Sequence, residues 1–220
     1  MKLIVAVDER WGIGKNGDLL LSIPDDMRFF REMTRSAVLV MGYNTLISFP
    51  GSKPLPGRLN IVLNDAEGCR AEGAVICRSL DQLFRFLNSF GSDEVYVIGG
   101  GSIYRQLLPY CDTAYITKMR FDGGADTFIP DLDRDASWTV AEQGERREYE
   151  GIVYSFLTYH NASPTPIAFA GAPTGIAECF KKREDGTKPL PQGFTAEDVD
   201  AYLDSGYTDF AAYLSAQKLI

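Results

Sequence analysis

Short runs of branched and aromatic apolar residues alternate along the chain with stretches whose apolar positions fall three and four apart. The runs predict strands over Leu3–Val7, Ala37–Met41, Leu59–Leu63, Ala74–Cys77, Val95–Ile98 and Thr113–Met119. Most are nearly continuous in apolar residues, as in strands buried on both faces. Helices are predicted between them, over Pro24–Thr34, Leu80–Ser89 and Ser102–Leu108. Pro24 suits a first helical turn, and Asp25 and Asp26 suit its positive end. Ser79 suits the N-cap of the second helix, with Asp81 and Gln82 in its first turn. Trp138–Gln143 and Val153–Tyr159 read as a closing antiparallel pair. Alternation followed by strands predicts an α/β domain over residues 1–160, its central sheet mainly parallel and ending in an antiparallel hairpin.

The texture changes near residue 161. Asn161 to Gly193 is rich in Pro, Ala, Gly, Thr and Lys without a clear period, which predicts an irregular arm. Thr195-Ala-Glu-Asp then reads as a helix start. Val199, Tyr202 and Leu203, and after Gly206 also Phe210, Tyr213 and Leu214, keep helical spacing. Residues 161–220 are therefore expected to form an extension ending in one or two short helices. Docking on the same chain is the favoured role, with contact to a partner left open.

With 45% hydrophobic residues in 220, the chain can bury a sizeable core. A net charge of −8 argues against a nucleic-acid surface. No apolar run approaches the roughly 20 residues of a membrane span, and the apolar start is too brief for a signal peptide before Asp8, Glu9 and Arg10. A cytoplasmic, monomeric protein is expected. Cys69, Cys77, Cys111 and Cys179 lack metal-ligand spacing, and His160 is the single histidine. No metal site is expected, and acid–base work falls to carboxylates, tyrosines or the substrate itself.

Three segments carry candidate chemistry. Val95 to Tyr104 runs from a buried strand through Gly99, Gly100 and Gly101 into a helix. Glycines there permit close approach and positive φ, and a helix start suits a phosphate, although packing alone also explains such turns. Asp26 and Phe30 are four apart and share a helix face with Met27 beside them. A carboxylate among apolar groups can bind a flat heterocycle through two N–H donors, and burial raises its pKa. Arg58 follows the turn Lys53-Pro-Leu-Pro-Gly and precedes a strand. A guanidinium fixed there suits a substrate carboxylate; a solvated turn arginine is the equal alternative.

The order of these pieces resembles dihydrofolate reductase from Leu3 to about Tyr159. The matching pieces are Ala6-Val7-Asp8, Gly12-Ile13-Gly14, Gly17-Asp18-Leu19, Ile23-Pro24-Asp25-Asp26, Val40-Met41-Gly42 with Thr45, Pro54-Leu55-Pro56-Gly57-Arg58, Ile98 to Gly101 with Ile103-Tyr104, and Asp126-Thr127-Phe128 with Pro130. The resemblance implies reduction of 7,8-dihydrofolate to tetrahydrofolate by NADPH. It implies that Asp26 holds the pterin and favours its protonation, that Thr117 joins the same hydrogen-bond network, and that Tyr104 lies near the nicotinamide. Val5, Ala6, Met27 and Phe30 would line the pterin pocket, and Arg58 would clamp the glutamate carboxylate. The cofactor would meet Ala6, then Ile13, Gly14, Gly17, Asp18 and Leu19 in a lid over Gly12–Leu21. It would also meet Gly42, Tyr43, Asn44 and Thr45 at a helix start, Leu63, Asn64, Asp65 and Arg78 at strand ends, and Ile98 to Tyr104 with Ser102 and Ile103. A cis link is implied between Gly99 and Gly100.

The chain departs from the family pattern in two places. Leu20-Leu21 stands where the family commonly has Pro-Trp, which removes an indole N–H. Tyr43, Ser102 and Asn64-Asp65 stand where basic or small polar residues commonly surround the 2′-phosphate that distinguishes NADPH from NADH. A carboxylate about 5 Å from a dianionic phosphate costs roughly 1–2 kcal/mol even at water-like dielectric, about tenfold in affinity. Arg78 would partly compensate, and tolerance of NADH is expected. The alternatives are reduction of another pteridine or a pyrimidine, or a folate- or nucleotide-binding relative without turnover whose C-terminal arm recruits a partner.

Overall fold

The computed structural model describes residues 1–87, 90–167, 201, 202, 204–206, 213 and 216. In chain order its elements are β1 (Lys2–Val7), β2 (Gly12–Lys15), β3 (Asp18–Leu19), α1 (Pro24–Met33), β4 (Val38–Gly42), α2 (Tyr43–Ser48), β5 (Leu59–Leu63), β6 (Ala74–Cys77), α3 (Leu80–Leu87), β7 (Val95–Gly99), α4 (Gly101–Leu107), β8 (Thr113–Met119), β9 (Thr127–Phe128), β10 (Trp138–Gln143), β11 (Arg147–Tyr149) and β12 (Ile152–Asn161). The chain divides into two units, one of Met1–Met33 and Tyr96–Pro166, the other of Thr34–Val95 and Ile167–Ile220.

In the first unit β1 lies between β7 and β8, parallel to both. Leu3, Val7, Val97, Ala114 and Ile116 are fully excluded from solvent there, which accounts for the unbroken apolar runs. β12 returns antiparallel along β8, from Tyr154 opposite Met119 to His160 opposite Thr113. It carries β10 and the three-residue β11 on its other edge. A separate small antiparallel sheet joins β3, β2 and β9. The predicted lid is thus partly a ribbon: Gly14 faces Leu19 and Lys15 faces Asp18 across Asn16-Gly17. Both turn residues have positive φ, 53° and 87°, as a two-residue hairpin turn requires. The Asn-Gly pair is a sequence signal for this hairpin.

Asp8 holds the start of this ribbon. Its fully buried carboxylate accepts the N–H groups of Arg10, Gly12 and Gly123. A Cβ on Gly12 would sit 2.4 Å from the Cβ of Ala125, so nothing larger than glycine fits that bend.

In the second unit β4, β5 and β6 run parallel and end level with one another, Gly42 beside Leu63 and Leu63 beside Cys77. The Asn64 N–H extends that ladder to the Cys77 carbonyl. Ser79 accepts the Gln82 N–H and Gln82 accepts the Arg78 N–H, a reciprocal cap for α3. Tyr202 and Tyr213 are both buried and lie ring to ring at 5.3 Å. The rest of the expected arm and terminal helices, including Thr195, Val199, Leu203, Phe210 and Leu214, lies outside the described residues, as do Cys179 and the last two residues, 88–89, of the predicted second helix. Among the described residues no helix is long and apolar enough to cross a membrane.

Candidate active site

Two aspartates open α1, and their surroundings differ completely. Asp26 is half-buried and accepts a hydrogen bond from the Thr117 hydroxyl of β8. Burial pushes its carboxyl above the usual carboxylate range, and the Thr117 bond offsets only part of that. Thr117 stands opposite Ala6 in the β1–β8 register, and Val5 stands opposite Ile116. Tyr104, buried on α4, donates its hydroxyl to the Ile4 carbonyl at 2.8 Å. Burial, and then the charge of Asp26, push that phenol far above its ordinary value. Asp26, Thr117, Ala6 and Tyr104 are therefore close enough to act on one another. Met27 and Phe30 are half-buried on the same helix.

Asp25 faces the other way. It accepts hydrogen bonds from Arg28 at 2.6 Å, Arg147 at 2.9 Å and the Tyr154 hydroxyl at 3.1 Å. The Arg147 and Tyr154 bonds, with Arg28, hold its carboxyl below the usual range. Beneath it Phe29 stacks obliquely on Phe156 at 4.7 Å. The sequence reading assigns Asp25 only to the helix dipole and misses this three-donor clamp. Leu21, at the family's tryptophan position, packs on a cluster of Ile23, Met119 and Tyr154 together with Ala6.

The glycine turn is built as the sequence suggests, with a cis peptide between Gly99 and Gly100. Much of the demand for glycine is internal. A Cβ on Gly99 would lie 3.0 Å from the Tyr104 ring, and one on Gly101 would lie 2.9 Å from the Thr127 methyl and 3.0 Å from the Phe128 carbonyl. Ile98 and Ile103 are buried around the turn, while Ser102 is exposed and accepts a bond from Gln106. In the ribbon Ile13 and Gly14 are half-buried and Gly17, Asp18 and Leu19 are exposed. The Asn16 N–H donates to Asp126 at 2.7 Å, which with the Thr127 hydroxyl holds that carboxyl low.

The second unit holds the remaining predicted residues. Arg58 donates through Nε to the buried Thr34 hydroxyl at 3.1 Å and through Nη1 to the Pro56 carbonyl. Its turn is fixed from below: the buried Asn60 amide accepts the Leu55 N–H and donates to the Leu55 and Arg58 carbonyls. Gly42 caps α2 without a side-chain oxygen on its first N–H groups, and Tyr43, Asn44 and Thr45 form the first turn. Gly42-Tyr43, Leu63 to Asp65, and Arg78 all stand at the carboxyl ends of the three parallel strands. That edge is where open α/β sheets hold ligands. Arg78 itself meets Asp204, a residue the sequence reading does not use, at 3.8 Å.

The dihydrofolate reductase family model matches residues 1–161. Dihydrofolate reductase of Bacillus subtilis is 33% identical over 161 residues, covering 72% of this chain and 93% of that protein. Bifunctional dihydrofolate reductase-thymidylate synthase 2 of Arabidopsis thaliana is 35% identical over 181 residues, 72% of this chain but only 31% of the plant protein. The solved dihydrofolate reductase from Enterococcus faecalis, complexed with NADP(H) and RAB-propyl, superposes with a TM-score of 0.65 at 32% identity, covering 73% of this chain and 95% of that one.

Proposed function

The chain belongs to the dihydrofolate reductase family, and we propose that it reduces 7,8-dihydrofolate to tetrahydrofolate. The carrying observation is the half-buried Asp26 carboxylate, hydrogen-bonded by Thr117. Asp26 accepts two N–H donors from one edge of the pterin, and Thr117 fixes its orientation. A negative charge so placed favours the protonated substrate nitrogen, which makes the adjacent carbon a better hydride acceptor. Bound NADPH supplies the hydride. Val5, Ala6, Met27 and Phe30 hold the ring flat, and Leu19 to Leu21 exclude water from it. Leu21 completes an apolar seal where the family commonly has an indole. Arg58, held by Thr34 and Pro56, meets the substrate's carboxylate tail.

The residues at the carboxyl ends of β4, β5 and β6 suit a dinucleotide phosphate poorly in charge, because Asp65 is exposed there and Tyr43 is neutral. NADH is therefore accepted alongside NADPH. The test is dihydrofolate-dependent oxidation of each nicotinamide cofactor by the purified chain. Turnover with dihydrofolate supports the reading, and a dinucleotide that binds without any folate-dependent oxidation rejects it.

A further inference from the structure

The carboxyl edge of β4–β6 carries one feature that the family comparison does not reach. Asp204 lies beyond the 1–161 match yet meets this edge. Gln82 bridges the two segments: its carbonyl oxygen accepts the Arg78 N–H, and its amide N–H donates to one carboxylate oxygen of Asp204. The other Asp204 oxygen faces Arg78 Nε at 3.8 Å. Nη1 of Arg78 is buried with no hydrogen-bond partner among the described residues. The guanidinium is thus held beside a carboxylate at the strand ends, with Asp65 exposed two residues past β5.

Resting on the reading that a nicotinamide dinucleotide binds at this edge, we propose that Asp204 is a specificity-determining residue. It neutralises the cation that would otherwise favour a 2′-phosphate, so that the phosphorylated and unphosphorylated dinucleotides bind with similar affinity. A surface ion pair of this kind adds little to stability. Its effect on a nearby dianion is larger, about tenfold at a separation near 5 Å. Asp65 remains in every variant, so the comparison isolates Asp204.

The experiment titrates the full chain with NADPH and NADH at low ionic strength, reading Kd by nicotinamide fluorescence, in the wild type, Asp204→Asn, Arg78→Gln and the double variant. Asp204→Asn should tighten NADPH about tenfold and leave NADH within twofold. Arg78→Gln should weaken NADPH about tenfold, because it leaves the Asp204 charge uncompensated, and the double variant should return to the wild-type affinity. Raising salt should shrink the gain. Asp204→Ser serves as a second probe if the first variant misfolds. An unchanged ratio of the two affinities in Asp204→Asn, or a double variant as weak as Arg78→Gln alone, overturns the proposal while leaving the reductase reading intact. Failure of both dinucleotides to bind overturns the reductase reading and this proposal with it.

Discussion

Asp26 weighs against folding where Asp25 supports it. Burial raises the Asp26 carboxyl in the folded chain, so the unfolded chain gives up its proton first as pH rises. Folded stability therefore falls as pH climbs from the ordinary value of 3.8 through the raised one, and the full penalty applies at neutral pH. Asp26→Asn removes it. The variant should melt higher than the wild type at pH 7–8 and should lose that advantage near pH 3, read by thermal denaturation across pH. Its reductase rate should fall by roughly 10²–10⁴ at neutral pH and recover in part in acid, where solvent protonates the substrate. A gain in stability joined to a loss of rate is the mark of a residue retained for chemistry.

The first turn of α1 is an element held from outside itself. Arg147 on β11 and Tyr154 on β12 both bind Asp25, which keeps Asp26 and Met27 at a fixed angle to β8. Because the folded Asp25 carboxyl is lowered, its stabilisation is full above the ordinary value of 3.8 and fades as pH falls through the lowered one. Asp25→Asn should melt lower than the wild type at pH 7, with the gap closing in strong acid. The turn into α4 is a second such element. Gly101→Ala forces a methyl against the Phe128 carbonyl and should destabilise the chain by about 1–3 kcal/mol, measured by urea unfolding. These elements also mark what was legible in the sequence. β5, β6, β8 and β10 were readable to the residue because each carries its own local pattern. β9 is two residues long and β11 three, too short for any period to register. The partners of Asp25 lie up to 129 residues away, and no local spacing announces a bond of that reach. Asp26 was legible because Phe30 and Met27 sit beside it in the sequence itself.

Across the whole molecule, the segment beyond the family match contributes to the second unit. Tyr202 is 1% exposed and Tyr213 6%, so Tyr202→Ala should cost roughly 3 kcal/mol, checked by urea denaturation of the full chain. Both tyrosines were legible in the sequence as members of the helical spacing after Thr195, but spacing alone does not say what the rings pack against. The small sheet has a consequence of its own. β2 is sewn to β9 along one side and to β3 along the other, whereas β3 has a free outer edge among the described strands. Asp18-Leu19 is therefore the selvage of this small sheet, bonded along one side only, whereas β2 is held along both.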